Sequence, residues 1–217
     1  MNPYVIFVVS LALLPVTGGA IAAGDTGETR VGVGYVFGTA TLDDDFGNEL
    51  SADVTSIGLS LDHFTGQSGP AVGGFLGKTT LDDFELNGQA LNLGSEDADV
   101  LGVRAGYRGG EYGAAQPVLF LVGQRVDPDE GESSTALGVQ VGVEQTGASS
   151  RFGINGSYLN DDDGHTLSFG AGVTVFATEE FGLSLGAAYA FGETEIFGES
   201  VDTEEYGIRA GVELRFR

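Results

Sequence analysis

The sequence predicts an all-β chain, a closed antiparallel up-and-down transmembrane barrel of ten strands that turns its apolar face to lipid. Three observations predict it. Hydrophobicity alternates with a period of two through almost the whole chain after residue 22, the connections between alternating segments are long and short by turns, and 24 of the 32 acids fall in or beside the long ones.

The alternation is the strand signal, because successive side chains of a strand point to opposite faces. In residues 30–42 the large apolar residues Val31, Val33, Tyr35 and Phe37 alternate with Gly32, Gly34, Val36 and Gly38. Leu137, Val139, Val141 and Val143 alternate with Gly138, Gln140 and Gly142, and Leu183, Leu185, Tyr189 and Phe191 with Ser184, Gly186, Ala188 and Ala190. A soluble sandwich would bury its apolar face against a second sheet and carry Lys, Thr and Glu on the other. Here the second face is too small for a solvated exterior, and it fits the crowded inside of a narrow barrel. Glycine weakens an isolated strand, so 37 glycines in 217 residues need a geometric reason, which a tightly curved wall supplies.

Turn signals divide the chain into ten segments, about 29–42, 54–65, 70–81, 99–109, 115–127, 134–146, 151–160, 165–177, 181–193 and 204–216. Eight strands is the alternative, if two weak segments belong to loops. The even-numbered segments end in the short connections "TGQSGP", "GGEYGA", "TGASS" and "TEE", and the odd-numbered ones in 43–53, 82–96, 128–133, 161–164 and 194–203. Hairpins all the way round put every longer connection on one rim. That rim is acidic, since no Lys or Arg lies in those stretches.

Composition limits the function. The chain has no cysteine, so disulfides and thiol chemistry are excluded, and a net charge of −23 argues against nucleic acid as a partner. An apolar run from Tyr4 to Val16, followed by Ala20, Ala22 and Ala23, reads as a signal peptide over residues 1–22, leaving 23–217 as one exported domain. No later segment is apolar enough to span a membrane as a helix.

Parity also places the charges. Asp62, Lys78, Arg104, Arg125, Glu144, Arg209 and Glu213 share positions with the small residues, so they are expected to point inward as a lumen charge network. A charge facing hydrocarbon costs about 2 to 4 kcal/mol at mid-membrane. The repeated "GVRAG" (102–106) and "GIRAG" (207–211) follow the same grammar, Gly-Arg-Gly inward and Val/Ile-Ala outward. In the final strand Arg209, Gly211, Leu214 and Phe216 resemble the C-terminal assembly signal of outer-membrane β-barrels, with the departure that Arg217 follows the aromatic. With the loop alternation, the chain resembles the small porin-like outer-membrane barrels of Gram-negative bacteria. The resemblance implies the outer membrane as location, and lipid, lipopolysaccharide and the barrel-assembly machinery as partners.

Chemistry is sparse. Asp161, Asp162, Asp163 and His165 stand where outer-membrane proteases of the omptin type carry Asp and His groups, but a second carboxylate pair would have to come from elsewhere on the rim. The "HTLS" spacing does not fit lipid A deacylases. The acidic stretches fit no calcium-loop spacing, so only diffuse attraction of divalent cations is expected. The expected function is non-enzymatic and without cofactor: a structural or surface-interaction barrel with an ion-paired, largely occluded lumen. A narrow cation-preferring pore is the alternative, and a rim-located hydrolase a distant third.

Overall fold

The computed structural model describes residues 27–216 except Asp45, Gly113, Ala114, Glu130, Phe197 and Gly198, and the side chains of Ile196 and Glu199. The expected signal peptide and Arg217 lie outside the described residues. The strands are β1 (Glu28–Asp43), β2 (Glu49–Phe64), β3 (Gly69–Leu86), β4 (Gln89–Ala90), β5 (Glu96–Arg108), β6 (Ala115–Pro128), β7 (Ser134–Thr146), β8 (Ser150–Asn160), β9 (Gly164–Phe176), β10 (Phe181–Ile196) and β11 (Glu199–Phe216). Ten of them form one antiparallel sheet that closes through β2–β3 pairing, and β4 pairs only with β3.

β1 lies between β2 and β11, with Thr29 opposite Phe216 and Asp43 opposite Asp202. Both described chain ends therefore sit at one end of the barrel, here called proximal. The barrel is sheared: the row of paired residues that leaves β2 at Phe64 passes Phe120, Ser157 and Glu205 and returns to β2 at Ala52, twelve residues away. Such a stagger tilts the strands by roughly 40° from the axis.

The two faces separate as parity requires. Tyr35, Phe37, Leu59, Leu101, Leu121, Val141, Leu185 and Ile208 are exposed outward, and the positions between them are buried or half-buried inside. An exterior this apolar has no place in water and is the lipid-contacting band of a membrane barrel.

The distal end differs from the sequence expectation. Much of what reads as long loops is paired strand: β2 begins at Glu49, β3 reaches Leu86, β5 begins at Glu96, and β10 and β11 pair up to Ile196–Glu199. The acids there are largely outward-facing strand residues beyond the lipid band, such as Asp43, Glu193, Asp202 and Glu204. Their polarity marks where the lipid ends and does not interrupt the backbone ladder. Within this extension Asn87 (φ 51°) and Gly88 (φ 74°) form the two-residue Asn-Gly turn that joins β3 to β4. A bulge opposite Ser51 and Asp53, with Asp83 at φ 48°, turns Phe84 inward and buries it. In the turn after β1, the side chain of Asn48 donates to Asp44, as do the backbone N–H groups of Asn48 and Phe46, and together they hold the Asp44 carboxyl below its ordinary range.

Candidate functional site in the lumen

The lumen is filled from wall to wall in two layers. At the proximal end the layer is charged. Arg30 donates from Nε to Glu28 Oε1 (2.6 Å) and from Nη1 to Glu144 Oε1 (3.3 Å), and Arg108 Nη1 lies 3.6 Å from Glu28 Oε2. Arg151 donates to both oxygens of Glu213, from Nη1 at 2.6 Å, and to Thr174 Oγ1 at 3.3 Å. Above it Arg104 grips Asp62 with a fork, Nε to Oδ1 at 2.6 Å and Nη2 to Oδ2 at 2.5 Å. Two parallel charge-assisted bonds fix both side chains as well as attract them.

Aromatic rings hold the guanidinium groups from the side. The Cζ atoms of Arg30 and Arg108 lie 4.3 and 3.5 Å from the centroid of the Phe64 ring. Arg104 lies 5.2 Å from that of Phe120, which meets Phe64 edge-on at 6.4 Å. At the proximal mouth Arg215 lies 4.2 Å from the Phe176 centroid and donates to the Glu179 carbonyl.

Glycine makes room for these long side chains. A Cβ at Gly73 would run into Asp62 Oδ1, and one at Gly34 would lie 2.8 Å from Arg209 Nε, which crosses the wall there. Towards the distal end the filling turns apolar, with Val54, Leu81, Phe84, Val100, Val126 and Leu159 packed together and Leu91 against them. Ser56–Thr79 (2.8 Å) and Ser157–Ser168 (2.7 Å) satisfy each other in between. Glu205, counted with the acidic rim in the sequence, is instead inward and buried between Ala40 and Ala190, and neither carboxylate oxygen has a hydrogen-bond partner.

Five of the seven residues expected inward are there: Asp62, Arg104, Glu144, Arg209 and Glu213. Lys78 and Arg125 are not. Both are about half exposed on the outer wall near the distal end, paired with Asp97 and Asp127 at 2.8 Å. In β3 and β6 the inward Phe75, Phe120 and Val122 are large and apolar like the outward residues, so parity does not distinguish the two faces there. The parity rule also passed over Glu28, Arg30, Arg108, Arg151 and Arg215, which lie at strand ends. Arg30 shares parity with Gly32, and Arg151 with Gly153, so that signal was present. Of the C-terminal set, Arg209 and Gly211 face in, while Leu214 and Phe216 face out.

The rim residues weighed for hydrolysis do not converge. The Asp161 carboxylate accepts the N–H groups of Asp163 and Gly164 within its own turn, and the exposed His165 ring packs beside Tyr158 with centroids 5.9 Å apart. The carboxylates of Asp53, Asp82 and Asp83 lie within 4.8 Å of one another on the distal extension.

This wall, its apolar exterior and its filled bore define a membrane-spanning β-barrel of the bacterial outer-membrane type. One solved structure agrees on the fold. The outer membrane protease OmpT of Escherichia coli superposes with a TM-score of 0.55 at 8% identity, covering 88% of this chain and 97% of that one. OprG of Pseudomonas aeruginosa (TM-score 0.45, 12% identity, 90% and 98% covered) and Neisserial surface protein A (0.41, 14%, 87% and 97%) are also similar. No protein-family model and no curated protein sequence matches the chain.

Proposed function

We propose that the protein is a structural or surface-interaction barrel whose lumen is closed to solutes, with its distal, acid-rich end presented outside the cell and its termini in the periplasm. The observation that carries this reading is the filling of the bore: Arg30, Arg108, Arg151, Phe64 and Phe120 are each no more than 1% exposed although all five point into a barrel interior. A conducting pore keeps its lumen side chains wet. The outward acids beyond the lipid band would draw divalent cations diffusely, which suits a surface set among anionic lipopolysaccharide.

The narrow cation pore is the weaker reading. Among the described residues six arginines point inward, Arg30, Arg104, Arg108, Arg151, Arg209 and Arg215, against Glu28, Asp62, Glu144 and Glu213 in the same proximal half. That excess opposes cations. A hydrolase is not favoured, because His165 rests on the outer wall and Asp161 is committed to its turn.

Recording in planar bilayers tests the reading. The refolded protein should show no steady current. Stable conductance in the nanosiemens range would overturn the closed lumen in favour of a channel.

A further inference from the structure

The proximal charge layer has more hydrogen-bond donors than its carboxylates accept. Arg108 is 1% exposed, yet both Nε and Nη2 lack a partner. These two atoms form one edge of the guanidinium, the fork that binds carboxylates and other small anions with two parallel bonds. Its neighbour Arg30, which shares Glu28 and the Phe64 ring with Arg108, is also 1% exposed and leaves Nη2 without a partner. Arg151 Nε, in the same layer, is likewise unpartnered.

Charge points the same way, since among the described residues the proximal lumen holds six arginines and four acids. The only carboxylate oxygen of the layer without a partner, among the described residues, is Glu144 Oε2, and Glu144 is already bonded to Arg30 through Nη1. One acceptor cannot serve four donor atoms on three arginines. A buried guanidinium stays charged, so it cannot escape the cost of an empty donor by losing its proton. The missing acceptor is therefore expected to be negative.

We propose that the proximal lumen is a binding site for a small inorganic anion, held by the Nε/Nη2 edge of Arg108 and by Arg30 Nη2 beside the Phe64 ring. At the proximal mouth a recess of about 410 Å³ is lined by Thr146, Ser149, Phe176, Thr178 and Arg215. Arg151 shares the Phe176 ring with Arg215 and continues the line of guanidinium groups inward. The bound anion completes the plug and would be a fixed part of the folded barrel.

Thermal unfolding of the detergent-refolded protein, titrated with sodium chloride or sodium bromide against sodium gluconate at constant ionic strength, tests the site. Halide should raise Tm saturably by roughly 5 °C, as expected for a ligand well above its Kd. Arg108→Leu should abolish the halide response. Should that variant not fold, wild-type crystals grown in bromide decide the matter: an anomalous peak within hydrogen-bond distance of Arg108 and Arg30 is expected. No halide-specific shift in the wild type, or bromide crystals with only water at Arg108, would overturn the proposal.

Discussion

The two halves of the lumen close the same bore by opposite means. In the proximal half the wall is lined with glycine, and arginines reach across it to carboxylates and aromatic rings. In the distal half the inward positions carry Val54, Leu81, Phe84, Val100 and Val126, which pack as the core of a soluble protein does. The difference teaches where each kind of contact is robust. An apolar filling tolerates loss of one partner in proportion to the cavity left behind, whereas a buried ion pair leaves an uncompensated charge when one member is removed.

Arg104→Ala should therefore be the most damaging single change. It strands Asp62, which is 1% exposed, and a destabilisation of about 3 to 5 kcal/mol is expected in denaturant unfolding from detergent or lipid. The double variant Asp62→Leu with Arg104→Leu sharpens the point, because it removes both charges and should recover most of that loss. If the double variant were as unstable as the single one, packing and not charge would govern the proximal half as well.

Phe84→Ala probes the distal filling. Truncating a buried Phe costs about 3 kcal/mol or more where the site cannot collapse. Phe84 is held by a bulge beyond the lipid band, where the β3–β4 hairpin can follow it inward, so a cost nearer 2 kcal/mol is expected. The same unfolding curves measure it.

Glu205 is an exception within the distal half, a carboxyl among Ala40, Ala190 and Gly207 with no hydrogen-bond partner. Removing a buried group that makes no bond relieves its desolvation, so Glu205→Leu should stabilise by about 1 to 2 kcal/mol. A loss of stability would mean that Glu205 has a bound partner. The smallest effect is expected outside the bore: Lys78→Ala and Arg125→Ala break solvent-screened, exposed pairs with Asp97 and Asp127 and should leave the unfolding midpoint close to that of the wild type. Added salt should narrow even that difference from wild type.

Parity carried a great deal of this structure. Once the outward residues are set by the demands of lipid, the strands and the inward direction of Arg104, Arg209, Glu144 and Glu213 follow from a period of two, while the turn signals supply the number of strands and their antiparallel order. The misplaced Lys78 and Arg125 show where the rule loses its grip. In β3 and β6 the inward face carries Phe75, Phe120 and Val122, so both faces are greasy and the period has no contrast to read. The distal extensions were hidden for a different reason. An acidic residue outside the lipid band is compatible with strand or loop alike, and only pairing such as Glu193 with Asp202 decides between them.

By itself the sequence determined the alternation, the membrane-facing surface and the inward side of most charges, because each is a property of one strand and its surroundings. Tertiary structure alone decided the partners. Whether Arg104 meets Asp62 or Glu144, and whether Arg30 and Arg108 share Phe64 and Glu28, depends on the shear of the closed sheet. That shear brings residues from distant parts of the chain to one height in the bore, and no local pattern encodes it.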